Sequence, residues 1–597
     1  MLSSEMTKVQ PLKVEQNFDI STITNLASLL WSRAEHSPDN VAYIYIVDGE
    51  DDAMTITYSE LHHQACQIAL AIKDRALGQD KALLLYGPGL DFIAAFFGSI
   101  YAGIIAIPTY MPPRQKKIEN IKAIMSDAET SIILCSGEIQ REIESHIQNN
   151  GEAFDAIWIN SESTHCYNPD QCLEPLRRSD DIAFFQYTSG STDNPKAVMV
   201  THANIMANEL VIKQAFRHDN ETIGLGWLPH YHDMGLIGNI LQTMYIGRPC
   251  ILMSPFHFIQ KPLRWLQAIS RYRATSSGGP NFAFELCISK IKEQDKHNLD
   301  LSCWKLAFTG AEIIRQETLD RFSKAFEACG FDKNAFYPCY GLAESTLFVS
   351  GRPLNSDDSS NMIDENCNPV KSSPILNPDD SILEPVSCGN SWDKHCMEIV
   401  NPDTMEKCDQ GQIGEIWVHG PSVAKGYWRR AEQTEKIFKA KLKYETDKSY
   451  LRTGDLGFKR NNNLYITGRL KDLMIIRGQN YHPYDIERTV ANSSAALVSN
   501  GGAIFAVQIQ NEEKVVILQE VERNHLKSIN HEHTVSQIRS EVLRHHGLRV
   551  FAVALLKPVT IPKTSSGKIM RYKCRQLYIE NSLAHIYAWE ENRGTEI

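Results

Sequence analysis

The sequence predicts an α/β fold built on a parallel sheet in a chain of several domains, and three observations carry that prediction. Short apolar strand patterns alternate with helix-length amphipathic ones from Leu26 onward. Several strand patterns end in loops of small and hydroxyl residues, the place where ligands sit in a doubly wound sheet. A chain of 597 residues also exceeds what one core can organise, which implies roughly two to four domains.

Composition narrows the function class. With 43% hydrophobic and 22% charged residues the chain is an ordinary globular protein, and a net charge of −11 argues against nucleic-acid binding. Residues 1–17 are polar and lack a signal-peptide core, so a cytoplasmic protein is expected. Its 14 cysteines are scattered without C-x-x-C pairs, as buried thiols of a reducing compartment are.

In order, 26–30 opens a helix, 41–45 is a strand and 58–73 an amphipathic helix. Segments 81–86, 104–107, 131–135 and 156–159 are short apolar strands. The apolar run 92–108 is broken by Gly98, Ser99 and Gly103 and is too short to span a membrane, so a buried helix followed by a core strand is expected.

Stretch 187–202 organises the rest: Tyr-Thr-Ser-Gly-Ser-Thr-Asp-Asn-Pro-Lys-Ala-Val-Met-Val-Thr-His, between strands 182–187 and 197–200. Thr188, Ser189, Ser191 and Thr192 offer hydroxyls, Gly190 lets backbone N–H groups turn toward an anion, and Lys196 adds a point charge. That set suits a polyphosphate. It is not P-loop spacing, which needs glycine at Pro195 and a hydroxyl at Ala197. A plain polar surface loop is the competing reading of the stretch taken alone.

Thr201 is placed to cap a helix running through Phe216. The loop 227–235, Trp-Leu-Pro-His-Tyr-His-Asp-Met-Gly, then brings two histidines and an aspartate close together. Their spacing beside proline does not define a zinc site, so a site-lining loop is expected. Segments 306–312 and 335–346 each run from a strand into small residues and a carboxylate, Glu312 and Glu344. Tyr340 suits base stacking and Glu344 a hard cation, although each glutamate also suits a plain helix start. Segment 351–389 turns polar and loses apolar periodicity, longer than connections in compact domains usually are. Strands 397–401 and 414–419 follow, in an antiparallel subdomain. Glycine and charge cluster at 450–457 and 468–472, which places a domain boundary near Lys471. Strands 504–509 and 515–521 come next, and 562–571 forms a loop carrying Lys568.

Together, 187–202, 309–312, 340–346, 450–457, 468–487 and 562–571, in this order, resemble the adenylate-forming superfamily of acyl-CoA ligases, peptide-synthetase adenylation domains and luciferases. Within it the chain resembles the fatty acyl-AMP ligases. The loop 228–238 is similar to theirs, 351–389 stands where their insertion does, and Gln479 replaces a glycine usual in acyl-CoA ligases. Asp193 and Ala197 depart from the family, standing where it usually has glycine.

The resemblance implies an α/β fold with a large N-terminal domain of sheets and a distorted barrel, 1–467, bearing the insertion 351–389. It further implies a hinge at 468–472, with Lys471 its pivot, and a small mobile α+β domain at 473–597. It implies catalytic roles for Lys568, Glu344, Thr188 and His232. Thr188, Ser189, Gly190, Ser191, Thr192 and Lys196 would hold the leaving phosphates, and Glu344 would hold Mg²⁺. Gly310, Ala311, Glu312, Tyr340, Gly341, Leu342 and Ala343 would frame adenine, with Thr346 near the α-phosphate. Asp455, with Arg469, would take the ribose, and Lys568 would bridge carboxylate and α-phosphate. Trp227, His230, Met234 and Phe282 are candidates for the acyl pocket, from apolar character near these loops.

The implied reaction uses ATP and a fatty acid, releases pyrophosphate, and passes the acyl group to the phosphopantetheine thiol of an acyl carrier protein. A fatty acyl-CoA ligase and an inactive nucleotide-binding scaffold are the alternatives. Because carriers are typically acidic, a basic patch of Arg571, Lys573, Arg575, Arg544 and Arg549 is expected to dock one. Cys339 beside Tyr340 reads as packing.

Overall fold

The computed structural model describes residues 19–76, 78–109, 117–150, 155–188, 196–352, 386–476, 479–509, 512–564 and 568–591. The expectations for Ser189, Gly190, Ser191, Thr192 and Asp193, and for all but the ends of 351–389, fall outside these residues.

Two sheets carry the large part of the chain. One has six strands in the order Ile157–Asn160, Ile132–Cys135, Lys81–Leu85, Ile105–Thr109, Ile182–Thr188, Lys196–Thr201. The other has eight, running from Phe348–Gly351 through Phe336–Gly341, Leu306–Thr309, Ser276–Gly278, Gly224–Gly226, Cys250–Met253 and Val41–Ile46 to Ala53–Thr57. Their interiors are parallel, as the alternation of patterns predicts, but both sheets are mixed. Val41–Ile46 pairs antiparallel with Ala53–Thr57, Phe336–Gly341 with Phe348–Gly351, and Ile182–Thr188 with Lys196–Thr201. In each case the connection is too short for the crossover that a parallel pair requires.

The sequence patterns reveal neither Gly224–Gly226 nor Ser276–Gly278, three-residue strands of Gly-Leu-Gly and Ser-Ser-Gly. Glycine is there for packing: a Cβ on Gly226 would lie 2.7 Å from the Asn239 amide on the helix above. The run 92–108 becomes the buried helix Leu90–Ala102 and the strand Ile105–Thr109. Among the described residues no helix is long and apolar enough to cross a membrane. Thr201 caps the helix His202–Ala215 with a reciprocal box, accepting from Asn204 N–H while the Asn204 side chain accepts from Thr201 N–H.

The expected barrel corresponds to a five-stranded antiparallel sheet of Cys396–Val400, Gly414–His419, Ala440–Leu442, Glu445–Arg460 and Asn463–Arg469. Segment 450–457, marked in sequence by its glycine and charge, lies inside the long strand Glu445–Arg460. After the short turn Leu470–Asp472, a hairpin and a four-stranded sheet follow, with two apolar clusters drawn wholly from residues 474–589.

Candidate active site

Strands Leu306–Thr309 and Phe336–Gly341 are parallel neighbours, with Thr309 opposite Pro338, so the loops after them emerge side by side. In the first, Gly310 packs where a Cβ would come within 2.8 Å of the Cys339 carbonyl, and Ala311 sits at φ 66°. Glu312 then turns back to accept the Phe282 N–H at 2.6 Å. In the second, Gly341 approaches its return strand so closely that a Cβ would meet the Leu347 carbonyl at 1.9 Å. Leu342 and Ala343 lead from it into Glu344. Thr346 ends this turn at φ 67°, ψ −65°, a conformation that costs a β-branched residue on the order of 1–3 kcal/mol.

Two links join these loops to later parts of the chain. The Tyr340 hydroxyl donates to Asp455 Oδ2 at 2.8 Å, and Arg469 Nε, opposite Asp455 across the antiparallel pair, reaches Oδ1 at 3.0 Å. Burial first, and then the Asp455 charge, push the Tyr340 hydroxyl well above its usual range. The Tyr427 hydroxyl donates to Glu344 Oε1 at 2.8 Å, while Lys196 Nζ lies 5.3 Å from the centre of the same ring. Thr188 pairs with Lys196 in register, so strand Ile182–Thr188 ends beside the lysine that shares the Tyr427 ring with Glu344.

Lys568 belongs to the small sheet unit but faces the large one, within electrostatic reach of Asp233, Asp455, Glu312 and Arg469. Desolvation, and then Arg469, lower its pKa from the usual lysine value, against the three carboxylates. Burial raises Asp233 and Glu312, with Lys568 opposing the rise in both. His232, next to Asp233, is lowered to about 4, first by burial and then by Lys568, so it is neutral near pH 7. Gln186 Nε2 donates to the Tyr231 carbonyl at 2.8 Å and ties this loop to the strand before the hydroxyl-rich stretch. The helix that follows carries a π-helical segment, Leu236–Leu241, an irregularity frequent near functional sites.

The acyl candidates fall into two groups. Trp227 stacks on Phe258 at 4.0 Å and meets Phe282 edge-on at 6.2 Å, in one apolar cluster. His230 lies 4.1 Å from Phe92, burial lowers it to about 3, and Met234 packs on that other cluster. Lys471 is exposed in the turn Leu470–Asp472. The Cys339 thiol donates to the Thr309 carbonyl and is pushed up to about 12 by burial, so it is packing rather than a nucleophile.

The expected basic patch needs correction at its centre. Arg571 is turned inward, with Nη2 2.6 Å from Glu487 Oε2 and Nη1 3.1 Å from Asp472 Oδ2. Arg544 and Arg549 pair with Glu541 and Glu591. A basic run in a sequence does not show which of its charges meet acids folded from elsewhere.

Asp233, the aspartate read in sequence beside two histidines, enters the site as a neighbour of Lys568. Tyr427 and Arg315 were not singled out: Arg315 acts on the Glu312 charge, and Tyr427 lies 83 residues from Glu344 and reaches it through the tertiary fold alone.

The AMP-binding enzyme family model matches residues 30–428, and the model for the AMP domain of Disco-interacting protein 2-like proteins matches 471–588. The chain is 41% identical over 567 residues to medium-chain-fatty-acid–[acyl-carrier-protein] ligase JamA of Moorena producens, covering 94% of this chain and 96% of that one. It is 35% identical over 602 residues to the corresponding ligase TtuA of Teredinibacter turnerae, covering 93% and 94%. Among solved structures, fatty acyl-adenylate ligase from L. pneumophila in complex with acyl adenylate and pyrophosphate superposes with a TM-score of 0.70 at 37% identity, covering 97% of this chain and all of that one.

Proposed function

The chain belongs to the AMP-binding enzyme family, and from that premise we propose that it joins a medium-chain fatty acid to AMP and then to an acyl carrier protein. One observation supports the reading: Lys568 of the small unit lies within electrostatic reach of Asp233, Glu312 and Asp455 of the large one. A cation so placed meets the difficulty of the first step, in which an anionic carboxylate approaches an anionic phosphate.

In that step a carboxylate oxygen attacks the α-phosphorus of ATP, the α–β bridging bond breaks, and its electron pair leaves on pyrophosphate. Lys568 sits between the two anions. Lys196, with Thr188 and the loop 189–195, takes the charge that develops on the leaving group. Asp455, anchored by Tyr340 and Arg469, accepts hydrogen bonds from the ribose hydroxyls, while Gly310 to Glu312 and Tyr340 to Ala343 frame the adenine. In the second step the carrier thiol attacks the acyl carbon, a thioester forms and AMP departs. His232 is neutral near pH 7 and supplies no charge to either step.

Among the described residues no group of three or more His, Cys, Asp or Glu could hold a metal. Glu344 still fits Mg²⁺, which is commonly held by one carboxylate together with substrate phosphates, and Tyr427 occupies one of its oxygens. Bound there, Mg²⁺ would neutralise phosphate charge. We take 468–472 as the hinge between units 1–467 and 473–597, and we place the reaction in the cytoplasm, where free thiols stay reduced.

The test is pyrophosphate release with ATP and decanoate, followed by intact mass of a phosphopantetheinylated carrier protein and, in parallel, of CoA. Thioester on the carrier supports the reading. Thioester on CoA alone makes the enzyme an acyl-CoA ligase, and absence of pyrophosphate overturns the adenylation reading itself.

A further inference from the structure

Thr346 holds its strained turn through a buried network outside the adenylate motifs. Its hydroxyl donates to the Ser422 carbonyl at 2.6 Å. Ser422 Oγ accepts from Asn208 Nδ2 at 3.0 Å and lies 2.7 Å from His395 Nε2. The same Asn208 clamps the strand after the turn, donating to the Phe348 carbonyl at 2.8 Å and accepting its N–H at 3.0 Å. Thr346, Ser422 and Asn208 are wholly buried, and His395 is nearly so.

The donors in this network assign its protons. Ser422 N–H points at His395 Nε2, 3.3 Å away, so Nε2 must be the acceptor. The ring proton is then on Nδ1 and donates to the Trp392 carbonyl at 3.2 Å. Ser422 O–H donates to Nε2 as well, sharing the Nε2 lone pair with Ser422 N–H, which leaves the Oγ lone pairs to accept from Asn208. Every group is satisfied in one arrangement only, with His395 neutral. Such a closed polar network specifies a single geometry, because a partly satisfied one is costly when buried.

We propose that His395 and Ser422 are positioning residues that hold the Glu344–Thr346 turn, and through it the Glu344 carboxylate, in register for adenylyl transfer. The proposal rests on the adenylation reading above. Glu344 is held at its own carbonyl by Ala424 N–H at 2.9 Å, two residues beyond Ser422, so the segment that steadies Thr346 also steadies Glu344. Loss of the acceptor at Nε2 leaves Ser422 N–H and O–H without their partner and unfastens the segment whose Ser422 carbonyl holds Thr346.

The test compares full-length His395→Leu, His395→Gln and Ser422→Ala with the wild type in pyrophosphate release, with melting temperature as control. His395→Leu removes the acceptor, and kcat is expected to fall about 10- to 100-fold with KM for the fatty acid unchanged. His395→Gln returns a neutral acceptor oxygen near the Nε2 position and is expected to recover most of that rate. Ser422→Ala is expected to match His395→Leu, and it decides the matter should the leucine variant fail to fold. Wild-type rates in Ser422→Ala, or equal losses in the leucine and glutamine variants, overturn the proposal. A wild type that releases no pyrophosphate overturns the adenylation reading instead, and the two failures are thereby distinct.

Discussion

The Arg315 guanidinium donates to the Tyr484 hydroxyl at 2.7 Å and to Asn500 Oδ1 at 2.9 Å. Arg315 belongs to the loop that carries Glu312, and both of its partners belong to the small unit. Lys563, near Lys568, in turn donates to the Asn500 carbonyl at 2.8 Å. The two Arg315 contacts join the units, and the third ties the chain before Lys568 to the same Asn500. Arg315→Ala is therefore expected to slow adenylation about tenfold, which corresponds to a bias of only about 1.4 kcal/mol. Acyl transfer from chemically supplied acyl-AMP should be unaffected. Equal losses in pyrophosphate release and in transfer would show that Arg315 serves stability alone.

Lys568→Ala is expected to cost adenylation on the order of 10²–10³ in rate while leaving transfer from supplied acyl-AMP intact, because its charge is needed only while anion attacks anion. Burial and Arg469 lower its pKa, so the basic limb of the adenylation pH profile should lie below the ordinary lysine value of 10.5. That limb should be missing from the residual activity of the variant. Pyrophosphate exchange at the wild-type rate in Lys568→Ala would remove the residue from the mechanism.

Arg571 is held against Glu487 and Asp472, with Glu487 also accepting Ile504 N–H at 3.1 Å. Arg571→Ala leaves a buried carboxylate without its counter-charge, a change that typically costs about 3–5 kcal/mol. The expected outcome is a lower melting temperature and loss of both half-reactions together. A raised KM for carrier protein in an otherwise stable enzyme would return Arg571 to the docking surface.

Local patterns in the sequence were enough to read much of the fold. Segments 82–86 and 104–107 show their strands because each is a continuous apolar run, and Thr201 shows its cap because hydroxyl and amide stand three apart. Gly224–Gly226 was hidden because close approach to a helix selects glycine and erases the apolar signal. Candidates for the site could be named from sequence where one segment carries its own chemistry, as at Lys196, Glu344 and Lys568. Tyr427, Arg315 and the Thr346–Ser422–His395 network became visible only through contacts between distant segments. Arg571 shows the converse error, since a local charge run looked free while its partners lay 84 and 99 residues away.

Glu209 offers a test of the core that is independent of catalysis. It lies fully buried on the helix His202–Ala215, and among the described residues one of its oxygens has no hydrogen-bond partner. Gln242, whose amide nitrogen faces it, donates to the carboxyl group and to the Glu209 carbonyl at 3.1 Å. Burial pushes its pKa well above the ordinary 4.5. A carboxyl whose pKa is raised by folding binds its proton more tightly in the folded state. Its contribution to stability is therefore complete below pH 4.5 and is lost as pH rises from there toward the folded value. Across that window the loss approaches about 1.4 kcal/mol per pH unit. Glu209→Gln keeps the shape and removes the titration. Its melting temperature should sit close to wild type at pH 5 and above it at pH 7 and 8. A constant offset between the two proteins at all three pH values would mean that Glu209 is ionised in the fold and has a cationic partner.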